Sequence, residues 1–228
     1  MSDSHRPGVE APSFHKLTKG QRSYLAVKYL VDFLVALVAA LVLLIPMVLI
    51  ALAIRIDDPG PALFTQKRVG KDQKYFQLLK FRTMRADTPH DMPTPLLTAP
   101  QQDITRVGKV LRRFSLDELP QLFNILMGQM SIVGPRPALW NQFDLVEERE
   151  KYGAHQVRPG LTGWAQINGR DELEIPVKAA LDGDYIRYLG AKMDLKCFFG
   201  TFSKWFTGEG IVEGGTGEMN RGDQEQRQ

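Results

Sequence analysis

Apolar residues are concentrated in one stretch near the N-terminus, between a polar segment and a mixed C-terminal part. Residues 33–54 form a run of 22 positions without a charged or strongly polar side chain. As an α-helix this run would be about 33 Å long, enough to cross a bilayer core of about 30 Å. About thirty mostly polar residues precede it and no small-x-small cleavage pattern follows, which argues against a cleaved signal peptide. The pattern predicts a membrane element.

Pro46 interrupts the apolar run just past its middle. It has no N–H to bond the carbonyl of Val42, so a kink or break is expected there. Both flanks of the run are basic, so the positive-inside rule gives no direction for a single crossing. Two topologies therefore stay open: a kinked span, and a re-entrant helix–break–helix that enters and leaves one leaflet. The flanking basic residues are Lys16, Lys19, Arg22 and Lys28 before the run, and Arg55, Lys67, Arg68, Lys71, Lys74 and Lys80 after it.

The remaining patterns predict a small α+β domain at residues 57–207 behind a membrane helix at 23–56. Residues 1–22 are polar and predict a disordered segment, and residues 208–228 predict a flexible tail. The domain's predicted elements are strands at 63–70 and 75–82 joined by a turn, a loop at 86–100, helices at 104–113, 115–127 and 140–152, and a glycine-rich loop at 158–170.

An aromatic stripe near the C-terminus predicts an amphipathic helix. Its apolar residues recur at helical spacing, and its lysines lie largely away from them. Such a helix either packs on a core or lies on a membrane surface, and the apolar run upstream favours the membrane surface. The stripe consists of Leu195, Phe198, Phe199, Phe202, Trp205 and Phe206, and the lysines are Lys192, Lys196 and Lys204.

The composition excludes several classes of function. The net charge of +3 is too small to indicate a nucleic-acid partner. The lone cysteine, Cys197, excludes an internal disulfide framework, and its apolar neighbours predict packing or membrane contact. The four histidines are scattered without zinc-site spacing. A membrane-spanning phosphatase or kinase is a further hypothesis, but the sequence contains no P-loop or histidine motif that would support it.

Two adjacent carboxylates, Asp117 and Glu118, stand where a helix is predicted to begin. Ser115 and Glu118 also match a capping box, in which each side chain bonds the other's backbone N–H. Pro120 complicates that cap, because with Ser115 as the cap the proline lies where an N–H should bond the Leu116 carbonyl. With Asp117 as the cap, Pro120 would instead lie in the first turn, where a missing N–H costs little. Around the pair lie Arg106, Lys109, Arg112, Arg113 and a Gly-Pro-Arg-Pro segment at 134–137. Carboxylates among arginines beside a membrane anchor suit phosphoryl chemistry at a membrane surface.

Six motifs in order resemble the bacterial sugar transferases, the small monotopic phosphoglycosyl transferases that use polyprenyl phosphate. The resemblance covers roughly residues 28–195. The motifs are Lys-Tyr-Leu-Val-Asp-Phe at 28–33, Phe-Thr-Gln-Lys-Arg-Val-Gly at 64–70, Lys-Phe-Arg-Thr-Met at 80–84, Ser-Leu-Asp-Glu-Leu-Pro at 115–120, Gly-Gln-Met-Ser-Ile-Val-Gly-Pro-Arg-Pro at 128–137 and Val-Arg-Pro-Gly-Leu-Thr-Gly-Trp-Ala-Gln-Ile-Asn-Gly-Arg at 157–170.

The resemblance implies transfer of a sugar 1-phosphate from a UDP-sugar to undecaprenyl phosphate, with release of UMP. In this family the reaction is ping-pong and passes through a covalent aspartyl-phosphosugar. The resemblance also implies a re-entrant membrane helix, a catalytic domain on the cytoplasmic face of the bacterial inner membrane, and a role in exopolysaccharide, capsule, O-antigen or glycoprotein glycan synthesis. Later glycosyltransferases are implied partners, and the aromatic surfaces permit a homodimer.

The same resemblance assigns roles to individual residues. Asp117 is the implied nucleophile, and Glu118 shares with it the binding of Mg²⁺. Arg112 and Arg170 are implied to lie near the substrate phosphate. Pro135 and Arg136 are implied to shape the substrate pocket and the neighbouring membrane-facing surface, and Lys80 is a further predicted substrate-binding residue. Ile45–Pro46 departs from the Ser-Pro that many members have at the membrane break. The donor sugar stays open, and a non-catalytic scaffold for glycan assembly is the alternative hypothesis.

Overall fold

The computed structural model describes residues 13–85, 103–169 and 173–207, with side chains as far as Thr201. These residues form an α+β fold, as predicted. In chain order the elements are α1 (Lys19–Val42), α2 (Leu44–Asp57), β1 (Leu63–Val69), β2 (Tyr75–Phe81), α3 (Arg106–Arg113), α4 (Gln121–Leu126), β3 (Ser131–Val133), α5 (Phe143–Glu150), β4 (Gly160–Thr162), α6 (Trp164–Ile167), α7 (Ile175–Arg187) and α8 (Ala191–Thr207).

The long apolar run forms two helices separated by Leu43. The predicted break is confirmed: α1 ends at Val42 and α2 begins at Leu44. Pro46 lies in the first turn of α2, where a missing N–H costs little, and α1 loses its continuation because Pro46 cannot donate to Val42. Leu43 still donates to the Ala39 carbonyl at 2.8 Å. Of the described helices, Lys19–Val42 is long and apolar enough to cross a membrane.

One face of α1 and α2 packs on the rest of the protein along almost its whole length. Ala36 packs with Phe76 and Leu78 of β2, and Met47 and Ile54 pack with Phe81 and Leu111. The opposite face is apolar and exposed. It includes Val27, Leu30, Leu34, Val38, Leu41, Ile45, Leu49, Leu52 and Ile56. The broken helix therefore lies against the domain and turns a continuous apolar surface outward.

The predicted hairpin is confirmed, and its tip lies beside α1. β1 and β2 pair antiparallel, from Leu63 opposite Phe81 to Val69 opposite Tyr75. At the tip a 3-10 turn covers Lys71–Gln73, with Asp72 in the left-handed region at φ 53°. Aspartate tolerates this conformation better than most side chains do.

The glycine-rich segment was predicted to be a loop at 158–170, and this is partly wrong. It contains β4, which pairs in parallel with β3, and the short helix α6. Glycine is what allows this pairing, because a Cβ at Gly160 would lie 2.2 Å from the Gly134 nitrogen. Two strands of three residues are too short to show periodicity in the sequence.

The predicted disorder of residues 1–22 is wrong from residue 13 onward, and residues 1–12 lie outside the described parts. Thr18 caps α1 in a capping box with Gln21. Before the cap, the Leu17 N–H donates to Gln156 at 3.3 Å, and Gln156 donates to the His15 carbonyl at 2.7 Å. These bonds fix the start of α1 on the domain. The predicted flexible tail at 208–228 also lies outside the described residues.

α8 has one buried and one exposed side. Met193 and Cys197 belong to the core, and the buried thiol of Cys197 has its pKa raised to about 12 by desolvation. The prediction of packing for Cys197 is confirmed. Leu195, Phe198 and Phe199 are exposed, as expected for a helix on a membrane surface. The side chains of Phe202, Trp205 and Phe206 lie outside the described ones.

A buried ionic cluster joins α1 to α8. Lys28 lies 3.2 Å from Asp32 and 3.1 Å from Asp194. Around this core, Ser131 donates to Asp32 at 2.5 Å, and Tyr24 and Tyr185 donate to Asp194 at 2.7 and 2.8 Å. Lys28 and Asp32, four positions apart on α1, therefore pair inside the protein.

Candidate functional site

The carboxylate pair lies on a 3-10 turn rather than at the start of a long helix. One helix was predicted from Ser115 or Asp117 to Met127, and only its start is wrong: a 3-10 turn at Leu116–Glu118 precedes α4. Pro120 explains the interruption, because it cannot donate to the Leu116 carbonyl, which instead accepts from the Leu119 N–H at 3.3 Å. Ser115 is left-handed at φ 52° and its side chain caps nothing. Both predicted caps, Ser115 and Asp117, are therefore wrong.

Two basic side chains bracket the carboxylates. Lys80 Nζ lies 3.2 Å from Glu118 Oε1 and 3.8 Å from Asp117 Oδ2. From the other side, Arg136 Nη2 approaches Glu118 Oε1 at 3.2 Å. Asp117 is only 3% exposed. These opposite charges lie in a partly buried setting, where charges interact more strongly than in water.

The hairpin positions Lys80, and its continuation positions Arg112. Lys80 stands opposite Phe64 near the end of β2. Arg82, buried just beyond it, donates to the Asp58 carboxylate at 2.5 Å and to the Asp58 carbonyl, which ties the hairpin to the end of α2. Arg112 Nε donates to Thr83 Oγ1 at 2.9 Å. The predicted substrate arginine Arg112 is thus placed by Thr83, on the helix that precedes the carboxylate turn.

A buried pair supports the backbone of Arg136. Arg149 Nε donates to Asp182 Oδ2 at 2.7 Å, and Arg149 Nη1 donates to the Arg136 carbonyl at 2.8 Å. Burial raises the pKa of the Asp182 carboxyl, and the Arg149 guanidinium opposes that rise. The carbonyl of Pro135 accepts from the Gly160 N–H at 3.0 Å. Pro135 therefore serves in this structure to hold the segment that carries Arg136.

Sequence reasoning found four of the residues that meet at this site and missed those that support them. Asp117, Glu118, Lys80 and Arg136 lie together at the 3-10 turn. Arg170 lies outside the described residues. The missed supports are Arg82, Thr83, Arg149 and Asp182. A sequence signal existed for Asp182, which shares a helical face with the buried residues Ala179 and Ile186.

The two carboxylates at the turn suit Mg²⁺, an ion that proteins often bind with few side-chain ligands. Within the described residues, no group of three or more metal-ligating side chains exists. Mg²⁺ is commonly held by one or two carboxylates together with substrate phosphates and water. Asp117 and Glu118 supply such carboxylates, so the predicted ligands fit this ion provided that a diphosphate substrate completes the set.

The chain belongs to the bacterial sugar transferase family, because the family's sequence model matches residues 23–208. Two relatives are named for transfer of glucose phosphate to undecaprenyl phosphate. The undecaprenyl-phosphate glucose phosphotransferase of Komagataeibacter xylinus is 43% identical over 183 residues, which cover 75% of this chain and 34% of that protein. The UDP-glucose:undecaprenyl-phosphate glucose-1-phosphate transferase of Escherichia coli K12 is 41% identical over 187 residues, covering 75% of this chain and 39% of that protein.

A shorter relative matches almost end to end. The exopolysaccharide production protein PSS of Rhizobium leguminosarum bv. phaseoli is 41% identical over 187 residues, covering 78% of this chain and 94% of that protein. The chain thus spans 34% and 39% of the length of the K. xylinus and E. coli relatives, and nearly all of the Rhizobium relative.

Proposed function

We propose that this protein transfers a sugar 1-phosphate from a UDP-sugar to undecaprenyl phosphate, releasing UMP. The observation that carries the proposal is the placement of Asp117 and Glu118 between Lys80 and Arg136. Carboxylates can attack phosphorus or hold Mg²⁺, and the cations neutralise phosphate oxygens. The names of the K. xylinus and E. coli relatives support the substrates, and the name of the Rhizobium relative supports a role in exopolysaccharide synthesis.

In the first step, Asp117 attacks the β-phosphorus of the UDP-sugar. A bond forms between a carboxylate oxygen and phosphorus, and the bond from that phosphorus to the bridging oxygen breaks. UMP leaves with the bonding electrons, and the sugar phosphate stays on Asp117 as an acyl phosphate. Lys80 and Arg136, positioned at the turn, stabilise the charge that develops on the phosphate oxygens.

In the second step, undecaprenyl phosphate attacks the same phosphorus. Its phosphate oxygen forms the new diphosphate bond as the acyl phosphate bond breaks, which frees the Asp117 carboxylate and gives undecaprenyl-diphosphate-sugar. Glu118 stays paired with Lys80 and Arg136 throughout and keeps both cations at the turn. When bound, Mg²⁺ at the two carboxylates would withdraw charge from the diphosphate.

We also propose that α1 and α2 form a re-entrant element with both ends on the cytoplasmic side. Two contacts at opposite ends support this: Gln21 donates to the Ile186 carbonyl at 2.9 Å, and Asp57 accepts from the Val107 N–H at 2.9 Å. Because the hairpin and α3 pack beside the two helices, a straight crossing would draw their charged residues into lipid. Exposed Val110, Phe123 and Phe199 add apolar surface outside the two helices.

The topology has a direct test. Lys19→Cys, at the exposed start of α1, and Glu147→Cys, on the exposed side of α5, are expected to resist a membrane-impermeant maleimide in intact cells and to react after permeabilisation. Wild type is the control, because the buried Cys197, with its pKa raised to about 12, stays unlabelled at neutral pH. Labelling of position 19 alone from outside would show a single crossing.

The reaction is tested by UMP release. The full-length protein, in detergent with Mg²⁺ and undecaprenyl phosphate, is incubated with UDP-glucose first and then with a panel of UDP-sugars. We expect UMP and a lipid-linked sugar with at least one donor. No UMP with any donor, from protein with a cooperative unfolding transition, would contradict the proposal and favour the scaffold hypothesis.

A further inference from the structure

A cleft of about 430 Å³ opens between the first turns of α1 and the tip of the hairpin. Arg22, Leu25, Ala26 and Tyr29 supply one wall from a single face of α1. Lys71 and Asp72 supply the facing wall from the 3-10 turn. Leu25, Ala26 and Tyr29 contribute apolar surface to the cleft, and Arg22, Lys71 and Asp72 contribute charge. A lining of both kinds suits an amphipathic ligand.

This cleft is separate from the carboxylate site. Lys80 lies five residues along β2 from Tyr75, the residue where the strand leaves the tip. At about 3.3 Å per residue, roughly 17 Å of strand separate the two places. A ligand in the cleft would therefore touch neither Asp117 nor Glu118.

The charges in the cleft suit one phosphate and one ammonium. Arg22 and Lys71 are exposed and form no ion pair within the described residues. Behind the cleft, the Arg158 guanidinium lies 4.0 Å from the centre of the Tyr29 ring, which adds positive potential. Asp72 is the single carboxylate on the rim. A zwitterionic group finds both of its charges matched there.

The cleft also lies at the height of a lipid headgroup along α1. Lys19, Arg22 and Ser23 are exposed and polar, and the exposed apolar face begins at Val27. The change from polar to apolar surface marks the level where headgroups meet acyl chains. The cleft thus lies beside the interface, with its apolar wall on the side of the acyl chains.

We propose that this cleft binds the headgroup of an amine-bearing bilayer phospholipid. The phosphate lies between Arg22 and Lys71, the ammonium pairs with Asp72, and the acyl chains follow the apolar face of α1. The lipid is a structural ligand that fixes the depth of α1 and the hairpin tip in the leaflet. This goes beyond the proposed transfer reaction and does not depend on it.

Native mass spectrometry of the full chain in detergent tests this directly. Phosphatidylethanolamine and phosphatidylglycerol are added in equal amounts, and retained lipid is counted. We expect wild type to retain one phosphatidylethanolamine in preference, and Arg22→Gln/Lys71→Gln to retain at least tenfold less. Lys19→Gln/Lys74→Gln removes the same charge from exposed residues outside the cleft and is expected to behave as wild type. Asp72→Asn keeps a residue that tolerates the left-handed turn and is expected to lose the preference for phosphatidylethanolamine.

Other results would overturn the proposal. Equal retention by wild type and Arg22→Gln/Lys71→Gln would exclude the cleft. Equal retention of the two lipids by wild type would exclude ammonium recognition. Added undecaprenyl phosphate or inorganic phosphate that displaces the lipid from wild type would identify another source of phosphate. Lipid retention needs no turnover, and UMP release by the cleft variants is expected to match wild type, so failure here is distinct from failure of the proposed function.

Discussion

Asp117→Asn is expected to lower sugar-phosphate transfer by at least about 10⁴-fold and to abolish the covalent adduct. The amide has the size of the carboxylate but is not a usable nucleophile toward phosphorus. It is also expected to fold, because Lys80 keeps its partner Glu118 at 3.2 Å. The measurements are UMP release and intact-mass detection of a phosphosugar on the protein after incubation with a UDP-sugar alone.

Asp144→Asn is the matched control, because it makes the same chemical change on an exposed residue of α5. Its activity is expected to equal that of wild type. Glu118→Gln separates the two carboxylates: it should weaken the hold on Lys80 and Arg136 and lower the rate, yet still allow an adduct on Asp117. An adduct that persists in Asp117→Asn, or a loss of less than tenfold in rate, would show that Asp117 is not the nucleophile.

The functional side chains of the site could be predicted where they are adjacent in the sequence. The backbone geometry around them was harder to predict. Asp117 and Glu118 stand out because carboxylates among basic residues are unusual beside a membrane segment. Their local structure was harder to predict, since a helix and a 3-10 turn share the same residue preferences. Pro120 favours the 3-10 turn, because it cannot donate to the Leu116 carbonyl, which accepts from the Leu119 N–H instead.

The residues that hold Arg136 in place could not be predicted from the sequence, for a different reason. Arg149 and Asp182 are 33 positions apart and meet only because α5 packs on α7. Each helix carries several charged residues, and the sequence does not show which of them pair. The break at Pro46 and the hairpin at 63–81, by contrast, follow from local rules of backbone bonding and alternation, and both were predicted correctly.

Lys28→Met is expected to destabilise the protein by about 3–5 kcal/mol, because it leaves Asp32 and Asp194 as buried carboxylates without a cation. Methionine keeps the length of the lysine stem, so packing changes little and the lost charge dominates. For a chain of this size the unfolding midpoint should fall by roughly 10 °C. Thermal unfolding in detergent, followed by circular dichroism, measures this shift.

Rescue distinguishes lost charge from lost packing. Lys28→Met/Asp32→Asn/Asp194→Asn removes both uncompensated carboxylates and should recover most of the midpoint, because amides can still accept hydrogen bonds from Ser131, Tyr24 and Tyr185. Lys19→Met, on the exposed side of α1, should change the free energy of unfolding by less than about 0.5 kcal/mol. If the triple variant were no more stable than Lys28→Met, the cluster would act through shape rather than charge. If it recovers, the loss in Lys28→Met comes from the charge left unpaired on Asp32 and Asp194, and not from the packing of the lysine stem between α1 and α8.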